Sequence, residues 1–129
     1  MDILSTIVLT TNMIVNQFCS DFDIKKCNMD IRLQSSKTLP WVRDPKGVRR
    51  AHGQCVDNRI LLNKKHWYSI NNWEKKELLY HELGHCYFGL GHNNKISIMN
   101  PFPKATYYHV KEDGSNWKSL VEELKKEVK

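Results

Sequence analysis

The stretch HELGHCYFGLGH, residues 81–92, holds three histidines, one carboxylate and three glycines in twelve positions. On an α-helix, residues four apart stand one above the other with their Cβ atoms about 5–6 Å apart. His81 and His85 can therefore present two imidazoles to one ion. Glu82 is poorly placed to bind the same ion, but it suits the neighbourhood of a water beside it, where a carboxylate takes up a proton. A catalytic zinc keeps three protein ligands and one open position, so a third ligand is needed. His92 is the nearest candidate. Gly89 and Gly91 explain how it arrives, because glycine accepts the positive φ that ends a helix and turns the chain back.

Outward from this stretch, Asn71 reads as a helix N-cap, with Glu74 three residues on completing a capping box. The helix NWEKKELLYHELGHCYF (72–88) contains no proline. Leu79, Leu83, Cys86 and Leu90 form its core stripe, and Leu78, His81, Glu82 and His85 share another face. Upstream, KCNMDIRLQSS alternates Cys27, Met29, Ile31 and Leu33 with polar residues, the period of a half-buried strand. TLPWVRDPKG reads as an irregular connection. VRRAHGQCV and RILLNKKHWYS flank Asp57 and Asn58, which predicts an antiparallel hairpin. At the N-terminus, Ile3, Leu4, Ile7, Val8, Ile14, Val15 and Phe18 recur at three and four, as on a helix packed against a core. Downstream, HNNKISIMNPFPKATYYHV is loop-like. A last helix begins near Ser115 or Asn116, with Trp117, Leu120, Val121, Leu124 and Val128 as its stripe. The fold class expected is α+β: an N-terminal helix, a small mainly antiparallel or mixed sheet, the helix of the motif and a C-terminal helix.

The 129 residues make one domain, 1–129, with one site. The net charge of +6 includes a loose basic group at Arg43, Lys46, Arg49, Arg50, Arg59, Lys64 and Lys65. No reading helix, aromatic platform or finger spacing accompanies it, so a solvated surface or an acidic protein partner is expected rather than nucleic acid. No run approaches the roughly 18 apolar residues that cross a bilayer. Asp2 stands where a secretion signal carries basic residues. With no export signal and no CxxC pair, Cys19, Cys27, Cys55 and Cys86 are expected as reduced thiols, Cys86 in core packing, and the protein as cytoplasmic.

HExxH, a glycine-turned histidine and SIMNP (97–101) together resemble the zincin metallopeptidases, and among them the metzincins, whose signature is HExxHxxGxxH followed by a methionine turn. The resemblance covers residues 81 to about 101. It implies a compact metzincin-like domain, Zn2+ on His81, His85 and His92, Glu82 as general base, and Met99 as the hydrophobic turn beneath the metal. This chain reads HExxHxxxGxxH, with one extra residue before Gly89. One helical residue is about 100° of rotation, which a bulge or a differently shaped turn must absorb. Small HELGHC-type proteins of bacteria and phages show a similar spacing.

The function expected is zinc-dependent hydrolysis of peptide bonds in a protein or peptide substrate, with the substrate extended along an edge strand near Val48–Val56. Tyr107 and Tyr108 are candidate donors to a transition-state oxyanion, as tyrosines are in some related peptidases, although packing is their plainer role. The second reading is a zinc-binding structural or interaction protein, for example a virion component that keeps a peptidase fold. His52, His66 and His109 read as ordinary lone histidines, with His109 the best spare ligand. Glu112, the ligand of a gluzincin-like arrangement, lies in HVKEDGSN, which reads as loop.

Overall fold

The computed structural model of the chain describes residues 9–101 and 109–128. Helix α1 (Thr11–Asp21) is followed by β1 (Asp30–Gln34), a 3-10 turn (Ser36–Thr38), β2 (Trp41–Asp44), β3 (Gly47–Arg50), β4 (Gly53–Val56) and β5 (Arg59–Asn63). Three helices complete it: α2 (Lys64–Ser69), α3 (Asn72–Phe88) and α4 (Trp117–Val128). This is the expected mixed α+β class. No helix among the described residues is long and apolar enough to cross a membrane.

The strands form a three-stranded mixed sheet of order β1-β5-β4 and a separate antiparallel ribbon of β2 and β3. The hairpin at Asp57–Asn58 forms as expected: both residues take positive φ, 52° and 58°, the backbone that a two-residue turn matched to strand twist requires. β1 lies parallel to β5, aligning Ile31 with Ile60 and Leu33 with Leu62. Ile60 and Leu62 are fully buried and sit opposite Cys55 and Gly53 of β4. One face of the sheet is therefore apolar, and α3 covers it.

Helix α3 starts at the capping box read from the sequence. The Asn71 side chain accepts from Glu74 N–H, and the Glu74 carboxylate accepts from Asn71 N–H. Such a cap stabilises a helix by about 1 kcal/mol. Packing supplies the rest. Phe18 of α1 meets Tyr80 edge-on at 5.0 Å, and Trp117 of α4 meets the same ring at 4.8 Å. The N-terminal apolar pattern is confirmed at Ile14, Val15 and Phe18, all buried, while Ile3, Leu4, Ile7 and Val8 lie outside the described residues. Trp117, Leu120, Val121 and Leu124 of the stripe expected of α4 are buried, and Val128 is half-buried.

Several expectations fail. RILLNKKHWYS is a strand only as far as Asn63, and Lys64–Ser69 form α2. The cysteines are not reduced: Cys19 pairs with Cys27 and Cys55 with Cys86. Cys86 is thus a covalent link from α3 to β4 rather than only a packing residue. Nothing in the linear spacing shows this, because the hairpin and the helix bring together residues 31 apart. The stretch 48–56 is also not one strand. It breaks at Ala51–His52, so that β3 pairs with β2, inside the segment expected to be irregular, and β4 pairs with β5.

Candidate metal centre

Helix α3 runs regularly to Phe88, one residue beyond the metzincin spacing, and Gly89 ends it at φ 62°. Gly89 N–H donates to His85 O and Leu90 N–H to Gly84 O. This left-handed ending absorbs the extra residue without a bulge. The chain then returns, and His92 meets the two helix histidines. The three Nε2 atoms lie 3.1 Å (His81–His85), 3.2 Å (His81–His92) and 3.0 Å (His85–His92) apart.

The partners of the opposite ring nitrogens decide what that convergence means. His81 Nδ1 is 2.7 Å from Ile98 O, and His85 Nδ1 is 2.5 Å from Leu90 O. A carbonyl only accepts, so each Nδ1 carries the proton and each Nε2 is left with a lone pair. Two lone pairs facing one another about 3 Å apart repel unless a cation lies between them. A tetrahedral zinc with bonds of about 2.0–2.1 Å sets its nitrogens about 3.3 Å apart. The donor set fits such an ion, and His81, His85 and His92 could hold one. Burial above all, aided by neighbouring His85 and His92 and opposed by the Ile98 carbonyl, holds His81 down to about 3. It is therefore neutral at pH 7, the form that binds a metal.

Met99 is fully buried beneath this helix. A Cβ on Gly84 would stand 2.7 Å from its Sδ. Glycine at 84 is thus what lets Met99 approach the helix backbone at this point.

Glu82 points toward the sheet. A Cβ on Gly53 would come within 3.1 Å of its Oε2, and Cys55 N–H donates to the carboxylate. Burial pushes Glu82 up to about 8 against that single hydrogen bond. A dication in the same cavity would pull it back down. The cavity is about 600 Å³ and takes in the three histidines, Glu82, residues 51–55, and Val42 and Arg49 of the ribbon. The disulfide from Cys55 to Cys86, next to His85, fixes its β4 wall to α3.

Among the described residues the converging metal-binding groups are His81, His85 and His92 alone. Neither His109 nor Glu112 joins them, while Tyr107 and Tyr108 lie outside the described residues. His52 and His66 are not lone residues: their rings stack in parallel at 3.3 Å between centroids. Sequence reasoning missed Glu77, which also lines the cavity, is 4% exposed, and accepts from His109 N–H at 3.0 Å and Val110 N–H at 3.1 Å. Its position one turn before His81 was the available signal. The carbonyls of Leu90 and Ile98 have no sequence signal, since every residue carries one.

Compared with known proteins, the chain matches no family model, no curated protein and no solved structure. What fold and site define is an α+β protein with a three-histidine centre that could bind a metal.

Proposed function

We propose that the protein is a zinc-dependent, metzincin-like peptidase. The observation that carries this reading is the trio of Nε2 atoms 3.0–3.2 Å apart with a glutamate on the same cavity wall. His81, His85 and His92 would hold the zinc, with Ile98 O and Leu90 O keeping two of the rings in the binding tautomer. Bound there, zinc would supply Lewis acidity, to polarise a carbonyl and bring the pKa of a water to about 7. Glu82 takes the water's proton and passes it to the leaving amine, so no covalent intermediate with the protein is needed. Strand β4 pairs only with β5 among the described residues, which leaves its outer edge for an extended substrate chain. This narrows the expected edge strand from Val48–Val56 to Gly53–Val56. The two disulfides favour an oxidising compartment over the cytoplasm.

The second reading, a zinc-stabilised member of an assembly such as a phage particle, draws support from the same disulfides, which also suit a virion surface. It leaves a buried Glu82 beside the centre without a task.

The test loads wild type and Glu82→Gln with zinc, verifies one equivalent in each, and reads new termini in a diverse peptide mixture by mass spectrometry. Wild type should cleave, and the variant should lose about 10²–10⁴ in rate. Equal zinc content with no cleavage by either protein would replace the peptidase with the structural reading.

A further inference from the structure

The third ligand is the least constrained one. His81 and His85 stand on a capped helix, whereas His92 is exposed and sits on the chain between Gly91 and Asn93. Downstream, the same connection is buried, for Ser97, Ile98 and Met99 are 0%, 1% and 0% exposed. The loose end meets the buried end directly, Asn93 Nδ2 donating to Ser97 Oγ and Asn93 N–H to Met99 O, both at 3.3 Å, and a carboxylate from elsewhere in the fold reinforces the junction. Glu127, in the last turn of α4, accepts from the Asn93 carboxamide and from the Ser97 hydroxyl at 2.8 Å.

We propose that Glu127 is a positioning residue for the metal centre, clamping Asn93 to Ser97 and so holding His92 over His81 and His85. The inference rests on the reading of the triad as a metal site, but not on catalysis. Ser97 is the anchor. Its hydroxyl accepts from Met99 N–H at 3.0 Å and, having one hydrogen, donates it to Glu127. Without Glu127 that buried hydroxyl keeps no carboxylate to donate to, an expensive loss for a group cut off from water. Asn93 is the arm. Its N–H reaches back to Met99 O at 3.3 Å and its Oδ1 accepts from Lys95 N–H at 3.1 Å, closing the turn on itself. The side-chain amide is then fixed by Glu127 together with Ser97 Oγ at 3.3 Å, one residue from His92. Partners that hydrogen-bond a ligand directly typically change metal affinity about 10–100-fold when removed, and Glu127, acting one residue away from the ligand, falls at the low end of that range. The closing helix thus acts on the centre through the loop, without touching the ion.

The experiment measures zinc affinity by chelator competition for wild type, Glu127→Ala, Asn93→Ala, His92→Ala and the double variant His92→Ala/Glu127→Ala, with circular dichroism on each. Asn93→Ala removes the arm, with its bonds to Glu127, Ser97 and Lys95 N–H, and leaves the Glu127–Ser97 contact, so it tests the junction even if Glu127→Ala unfolds. Loss at the low end of roughly 10–100-fold in both single clamp variants, with no further loss from Glu127→Ala once His92 is gone, is the expected result. Cobalt substitution should change the band intensity of Asn93→Ala in the same direction as that of His92→Ala but by less, since the variant keeps the third imidazole and loses only its positioning. An unchanged affinity in Asn93→Ala, or an equal loss from Glu127→Ala with and without His92, would overturn the clamp. If wild type itself takes up no zinc, the metal reading falls and the clamp with it, an outcome distinct from the other two.

Discussion

Removing the Cys55–Cys86 bridge should cost more stability than removing Cys19–Cys27, and it alone should disturb the cavity. The two bridges close loops of different size, with sequence separations of 31 and 8. On the loop-entropy model the larger one stabilises the fold by about 3.7 kcal/mol and the smaller by about 2.5 kcal/mol. The larger also joins β4 to α3 where Cys55 N–H meets Glu82 and where Cys86 follows His85. Urea unfolding of Cys55→Ser/Cys86→Ser and Cys19→Ser/Cys27→Ser gives the two losses directly. Peptide cleavage by the same variants should fall by up to about 10²-fold in the first, since small misplacements of reacting groups carry that penalty. It should stay near wild type in the second. Equal losses of stability, or the reverse order, would refute the loop argument. Losses below about 1 kcal/mol in both would mean that the bridges do not form in solution.

Gly84→Ala should destabilise the fold by about 1–3 kcal/mol, because its new Cβ would overlap Met99 Sδ, fully buried beneath the helix; urea midpoints check this, and a neutral outcome would show that the methionine simply moves aside. Burial pushes Glu77 up to about 7, outweighing the His109 and Val110 N–H groups that pull it down. A carboxyl raised above its ordinary 4.5 keeps its proton longer when folded than when unfolded, so its contribution is present at low pH and is lost as pH rises from about 4.5 to about 7. The stability of wild type relative to Glu77→Gln should therefore fall by roughly 3 kcal/mol across that window, and a flat difference between pH 4 and 8 would contradict it.

The parts of the fold legible in the sequence are those set by neighbours. Asn71 and Glu74 form their box because both partners lie within one helical turn. Asp57 and Asn58 turn the hairpin because both side chains tolerate positive φ. The apolar stripes of α1 and α4, and Leu79 and Leu83 of α3, follow from helical period and were readable for the same reason, whereas Leu90 falls beyond the end of α3 at Gly89. Pairings between distant segments were not. The β2–β3 ribbon escaped notice because Pro40, Pro45 and Gly47 read as breakers, whereas Pro45 falls in the turn between the strands and Gly47 supplies its φ of 131°. The disulfides escaped because spacing says nothing about which sulfurs a fold brings within reach.

By itself the sequence determined the local chemistry of the centre: two histidines one turn apart, a glutamate between them, glycines to end the helix and a third histidine to follow. Each of these is a relation across a few residues, which backbone geometry dictates wherever a helix forms. Only the tertiary structure decided that the three Nε2 atoms converge, that Leu90 and Ile98 carbonyls set two tautomers, and that Glu82 lies over Gly53 of an edge strand stapled to the helix. Those contacts join segments whose meeting depends on the packing of the whole core, and no local pattern encodes it.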